Sequence, residues 1–223
     1  MKHNILYTFR RCPYAIRARW ALLNTKQEVE LREVDLNNKP SELIEISKKA
    51  TVPVLNTNSN QVIDESIDIM IWAIKRSNLN EIIGENKTST EKQIFSLIET
   101  NDKIFKYHLD RFKYASRYKD KSPLIHRDAG LKILISLNER LQNISSQNKS
   151  LFLVDAKESL ADWAIWPFVR QFRIADKINF DSNDEIKYLR IWLNYFLSHK
   201  NYSKVMKKNE PWRKNNDPIF FGK

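Results

Sequence analysis

The chain has 223 residues, 42% of them hydrophobic, which is enough to build an apolar core and argues against disorder as its general state. It carries a formal net charge of +11, a single cysteine and only three glycines; the lone cysteine excludes an internal disulfide and makes a reducing, cytoplasmic setting the expectation. No segment joins a basic start to a short apolar run and a small-residue cleavage site, and no apolar run nears the roughly 20 residues that cross a bilayer, so a soluble protein without membrane partners is expected.

The positive charge alone could serve nucleic acid, but no zinc-finger, helix-turn-helix or RNP-like pattern accompanies it, and nucleic-acid binding is disfavoured. Part of the excess is local. Residues 199–223 carry seven Lys/Arg against two Asp/Glu, and this basic tail with Trp212, Phe220 and Phe221 reads as a docked or frayed terminus, with a partner-binding arm as the minority alternative.

In chain order, Asn4 to Phe9 alternates Ile5, Tyr7 and Phe9 on one face and predicts a strand. Pro13 to Asn24 places Ile16, Trp20 and Leu23 at helical spacing with Arg17 and Arg19 opposite, an amphipathic helix. Val29 to Asp35 is a second strand, Ser41 to Lys48 a short helix, and Val52–Asn56 and Gln61–Ile63 two short strands around the polar turn Thr57–Asn60. Ser66 is placed to cap a helix from Ile67 to Arg76. The resulting β-α-β-α-β-β-α order fits a mixed sheet with helices on its faces. Polar residues and Gly84 mark 79–90 as a linker between a first domain, 1–78, and a second, 91–223, in which helical periods dominate. Helices are expected from Thr90 to about Tyr118, Pro123 to Ile144, Ser159 to Ile174 and Asp184 to Ser198. The third begins with Ser159 and has Asp162 three residues on, the acidic form of a capping box. Trp163, Trp166 and Trp192 read as core.

Cys12 follows a predicted strand and precedes Pro13, a residue favoured in the first turn of a helix. Its sulfur therefore stands at a helix N-terminus, where unpaired N–H groups and the helix dipole favour thiolate, with Arg10 and Arg11 adding positive potential. A buried, inert cysteine is the competing reading of a lone thiol.

Three segments bear on that choice: Phe9-Arg10-Arg11-Cys12-Pro13-Tyr14-Ala15, Thr51-Val52-Pro53-Val54-Leu55 and Asp64-Glu65-Ser66. In order and spacing they resemble the glutathione transferase superfamily, most closely its omega-like, cysteine-containing members, and Ser159-Leu160-Ala161-Asp162 resembles the capping motif of that family's helical domain. The resemblance covers the whole chain. It implies a thioredoxin-like N-terminal domain followed by an all-helical one, glutathione as co-substrate and a homodimer; no metal is expected, because the four histidines form no metal-ligand spacing. It also implies roles. Cys12 is the catalytic thiol. Pro53 matches the family's cis-proline, which exposes the backbone of Val52 to the cysteinyl part of glutathione. Glu65 and Ser66 match the pair that holds the γ-glutamyl end, and Lys49 stands where a lysine meets the glycyl carboxylate. A second-substrate pocket is expected between the domains, with Tyr14, Asn101, Phe105, His108 and Tyr114 as candidates.

The departures sharpen the reading. Ala15 stands where dithiol relatives have a second cysteine, so a second glutathione must resolve any mixed disulfide. Lys48-Lys49-Ala50-Thr51 replaces a segment that commonly holds proline and glycine, and Tyr7, on the strand before the active loop, is read as core and no substitute for a thiol-activating tyrosine. The expected activity is glutathione-dependent thiol transfer on small mixed disulfides, conjugates or electrophiles. The alternative is a non-catalytic binding protein of the same fold in a macromolecular assembly.

Overall fold

The computed structural model describes residues 3–85, 87–118, 122–148 and 150–223. The chain folds into two compact units, one formed by Met1–Asn80 with Lys200–Lys223 and the other by Glu81–His199.

The first unit is built on strands β1 (Ile5–Thr8), β2 (Val29–Glu33), β3 (Val54–Asn56), β4 (Val62–Ile63) and a terminal β5 (Ile219–Phe221), in the order β4-β3-β1-β2-β5. β1 and β2 are parallel, and the other three pairings are antiparallel. The parallel pair is joined through helix α1 (Pro13–Asn24), and α2 (Ser41–Ile46) and α3 (Ser66–Lys75) complete the β-α-β-α-β-β-α order. All four residues of β1 are buried, so this central strand is covered on both faces. Ile5, Tyr7, Val34, Leu43 and Val54 form one cluster; Leu6 and its register partner Leu55 point the other way by strand alternation and are also fully buried.

The basic tail belongs to this unit. β5 pairs with β2, and the Trp212 N–H donates to the Glu33 carbonyl at 2.8 Å. The domain boundary drawn from composition, which assigns 200–223 to the helical part, is therefore corrected. β2 would otherwise offer an unpaired edge, and a three-residue strand too short to register in a periodicity closes it.

The second unit holds α4 (Thr88–Thr100), a π-helical turn (Asn101–Phe105), α5 (Lys106–Lys113), α6 (Ala115–Tyr118), α7 (Pro123–Asn148), α8 (Leu160–Ala175), α9 (Lys177–Ser182) and α10 (Lys187–Ser198). The span expected as one helix to Tyr118 is thus divided by the π turn and by a break at Tyr114, and the linker region contains a 3-10 turn at Asn80–Ile83. The last helix, α11 (Asn201–Val205), lies in the first unit. In the helical core Trp166 stacks on Phe196 at 5.7 Å, and Phe172 meets Phe105 at 5.8 Å and Phe112 at 5.4 Å. Trp163, Trp166 and Trp192 are at most 4% exposed.

One polar node organises this core. Ser159 is the N-cap of α8, and Asp162 Oδ2 accepts from the Ser159 N–H at 2.9 Å and hydroxyl at 2.6 Å. Asp162 Oδ1 takes the Leu153 N–H at 2.8 Å and Trp192 Nε1 at 2.9 Å. The carboxylate thereby ties the segment before α8, the α8 cap and α10 together. Burial pushes Asp162 up to about 6 against the four donors that favour its charged form.

Candidate functional site

Cys12 is the N-cap of α1, with extended backbone angles φ −72° and ψ 121°, and Pro13 opens the helix. The preceding loop is closed by the Cys12 N–H donating to the Phe9 carbonyl at 3.1 Å, and the Cys12 carbonyl accepts the Ile16 N–H at 2.9 Å. The thiol, partly exposed, lies 3.6 Å from the Val52 carbonyl, to which it donates. The Val52–Pro53 peptide bond is cis. Two sequence-predicted residues forty positions apart thus meet at one point.

Below this loop sits a group that the sequence reading did not single out as functional. Arg19 is 2% exposed, and its guanidinium donates to Thr8 Oγ1, to the Phe9 carbonyl at 3.3 Å, to the Arg10 carbonyl at 2.8 Å and to the Val205 carbonyl at 3.1 Å. It holds the whole Thr8–Arg10 approach to Cys12 and ties it to α11. Burial lowers Arg19 to about 10, with Glu33 and Cys12 acting against that fall, and at this value the group stays cationic at neutral pH. Glu33 accepts the Arg10 N–H at 2.6 Å, and burial raises its carboxyl above the ordinary range. The expected amphipathic α1 is corrected here, because Arg17 and Arg19 are buried. A signal was present in the composition of α1: PYAIRARWALLN has two arginines and no other charged residue, which is sparse for a helix that shows a face to water.

Arg17 carries the site across to α3. Its Nε donates to Ser66 Oγ at 3.0 Å, and its guanidinium lies 4.9 Å from the Tyr14 ring centre. Ser66 is buried and is the first helical residue; the N-cap is Glu65. The cap expected at Ser66 is therefore displaced by one, to Glu65, whose backbone is the extended residue before the helix (φ −105°, ψ 129°). Lys49 donates to Glu65 Oε1 at 2.5 Å and lies 3.8 Å from Asp64. This contact raises the Lys49 pKa, chiefly through the hydrogen bond to Glu65. Both side chains are more than half exposed, so the pair contributes little to stability and either partner is open to exchange with a solute. Ala50 next to it has φ +44°, a left-handed conformation that normally favours glycine.

Tyr7 is 2% exposed in the cluster with Val34 and Leu43, and its hydroxyl accepts from Arg32 at 2.9 Å. Burial raises its pKa. Arg32 also lies 4.1 Å from the Trp212 ring centre, which seats the tail. Of the second-substrate candidates, Tyr14 belongs to the sheet unit and the rest to the helical unit. Asn101 and Phe105 are buried at the two ends of the π turn. His108 Nδ1 meets His126 Nδ1 at 2.9 Å, and the Tyr114 hydroxyl accepts from Gln171 at 3.4 Å. Among the described residues no group of three or more His, Cys, Asp or Glu is placed to hold a metal ion, and no helix is long and apolar enough to cross a membrane.

Residues 6–81 match the family model for the glutathione S-transferase N-terminal domain. Glutathione S-transferase L2, chloroplastic, of Arabidopsis thaliana is 31% identical over 196 residues, which cover 84% of this chain and 61% of the relative; the chain spans less than two thirds of that relative's length. Among solved structures, the Tau class glutathione S-transferase of mango, Mangifera indica, superposes with a TM-score of 0.73 at 21% identity over 92% of this chain and 93% of that one. Ure2p in complex with glutathione gives 0.76 at 16% identity over 91% and 98%, and glutathione transferase Omega 2C of Trametes versicolor 0.72 at 18% over 93% and 95%. The fold is that of the glutathione S-transferases. Tau and Omega representatives score almost alike, so the fold does not single out one class.

Proposed function

We propose that the protein is a glutathione-dependent transferase of omega-like type that works through Cys12 as a monothiol. The observation that carries the reading is the position of Cys12 Sγ at the head of α1, 3.6 Å from the carbonyl of Val52 beside the cis-proline Pro53. A helix N-terminus favours a thiolate, and the Val52 backbone beside it suits an extended cysteinyl peptide. Ser66 and the exposed Lys49–Glu65 pair on the same unit supply donors and charges of both signs for a ligand that is itself zwitterionic. In this reading Glu65 and Ser66 take the γ-glutamyl end, Lys49 exchanges Glu65 for the glycyl carboxylate, and Val52 pairs with the cysteinyl amide.

The chemistry proceeds in two exchanges. The Cys12 thiolate attacks the glutathionyl sulfur of a mixed disulfide; a Cys12–glutathione disulfide forms as the old S–S bond breaks, and the released thiolate takes a proton from solvent. The thiolate of a second glutathione then attacks the bound glutathionyl sulfur, leaving oxidised glutathione and the Cys12 thiolate. The incoming thiol must be external, because the chain has no other cysteine. A reducing compartment such as the cytoplasm suits this cycle, and a homodimer belongs to the same reading.

The test is intact-mass measurement after incubation with oxidised glutathione, together with turnover of the mixed disulfide of glutathione and 2-mercaptoethanol. Wild type is expected to gain one glutathionyl group and to turn over, and Cys12→Ala to do neither while keeping its circular dichroism spectrum. A folded wild type with no adduct and no turnover refutes the mechanism. If it is nonetheless retained on glutathione-agarose, the non-catalytic binding reading takes its place.

A further inference from the structure

The helical unit contains a cavity of about 630 Å³, within the range of small-ligand sites. Its lining residues all fall between Glu81 and Tyr195, inside that one unit, and none of them belongs to the site around Cys12. Three aromatic residues, Phe152, Trp163 and Tyr195, form part of the wall, with Glu158 among them. The Phe152 and Tyr195 rings meet edge to face at 5.3 Å.

Glu158 is held from two sides. Trp163 Nε1 donates to its Oε2 and the Tyr195 hydroxyl to its Oε1, each at 2.5 Å. Both donors are neutral, so they orient the carboxylate without cancelling its charge. Burial and the neighbouring carboxylate raise the Tyr195 pKa, which keeps the hydroxyl a donor at physiological pH. The remaining lining charges are of both signs with an acidic excess. Glu81, Glu85 and Asp155 join Glu158 against Lys87 and Lys157, leaving the cavity locally negative in a chain whose net charge is +11. Its wall is pre-organised as well, because the Leu153 N–H, next to Phe152, is fixed by Asp162, and Arg140 Nε donates to the Leu153 carbonyl.

From the oriented carboxylate, the aromatic faces and the negative surround, we propose that this cavity is a second binding site, for an organic ammonium cation carrying an apolar body. The aromatic quadrupoles and Glu158 both attract such a head group, and the apolar body is taken by Phe152 and Trp163. A neutral molecule of the same shape gains only the second contribution, and an anion is repelled.

Isothermal titration of the full chain with phenethylamine, 2-phenylethanol and 3-phenylpropionate separates these contributions. Phenethylammonium is expected to bind at least about tenfold tighter than the alcohol, the propionate not at all, and saturating glutathione is expected to leave the affinity unchanged. Glu158→Gln, which keeps the shape, is expected to abolish the difference between amine and alcohol; Tyr195→Leu, at a position 40% exposed, weakens both and serves if the first variant fails to fold. Equal binding of amine and alcohol, unaltered amine affinity in a folded variant, or displacement by glutathione overturns the proposal.

Discussion

Replacing Arg19 by methionine tests whether a buried guanidinium, and not strand pairing alone, holds the approach to Cys12. The side chain is 2% exposed and donates to four oxygens, three of them main-chain carbonyls at 2.8 to 3.3 Å. Methionine fills much of the volume but removes the Arg19 donor from Thr8 Oγ1 and from the three carbonyls, of which the Phe9 carbonyl keeps the Cys12 N–H. Each hydrogen bond to a charged group is worth about 1.5–3 kcal/mol; the sum is reduced because a cation is no longer taken out of water. Breaking one side of such a buried charged network costs about 3–5 kcal/mol. For a chain of 223 residues that corresponds to a fall in Tm of about 6–20 °C, at about 2–4 °C per kcal/mol. Urea unfolding followed by circular dichroism gives the energy, and the alkylation rate of Cys12 under native conditions reports the loop. The rate is expected to change in the variant, since the Arg10 carbonyl loses the guanidinium and the Phe9 carbonyl keeps only the Cys12 N–H. The exposed Arg11 is the control, and Arg11→Met is expected to stay within about 0.5 kcal/mol of wild type. A loss below about 1 kcal/mol in Arg19→Met, with an unaltered alkylation rate, refutes the assignment.

Two further substitutions probe the tail and the helical unit. Gly222 has φ +111°, and a Cβ built there runs into the Gln27 carbonyl oxygen; Gly222→Ala is therefore expected to unseat β5, lower Tm and expose Trp212 to an aqueous quencher, and a variant with unchanged Tm and quenching contradicts the pairing. His108 and His126 face each other at 2.9 Å through Nδ1, and burial, then His126 and Arg111, lower the His108 pKa below its ordinary 6.5. The folded state therefore binds this proton less readily than the unfolded chain, so stability is fully present above about pH 6.5 and is lost as the pH falls through the lower, folded value. His108→Gln is expected to flatten the fall in urea midpoint from pH 7.5 to pH 5.5, and an unchanged slope counts against it.

Much of the architecture was legible in local pattern. Pro13 after Cys12, the polar turn between β3 and β4 and the Ser159/Asp162 box are each short-range signals, and each marks an element end that the structure contains. Periodicity was less informative where an element is buried all round. In α1 the arginines read as a solvent face, because an amphipathic pattern cannot tell water from a set of buried carbonyl acceptors. The π turn that divides α4 from α5 leaves the helical period nearly intact, and α9, α11 and β5 are only three to six residues long.

By itself, the sequence determined the β-α-β-α-β-β-α order of residues 1–78, the position of the only thiol at a helix head and the lack of a second thiol in the chain, because these depend on residue type and immediate neighbours. Tertiary structure alone decided that Val52 faces Cys12, that Arg17 takes the hydroxyl of Ser66, that Arg19 ties the loop before Cys12 to Val205, and that residues 219–221 close the sheet edge. Those partners are 40 to 192 positions apart along the chain. What selects them is burial: once a guanidinium or a strand edge is removed from water, its donors and acceptors must be met by whatever backbone the fold brings within reach.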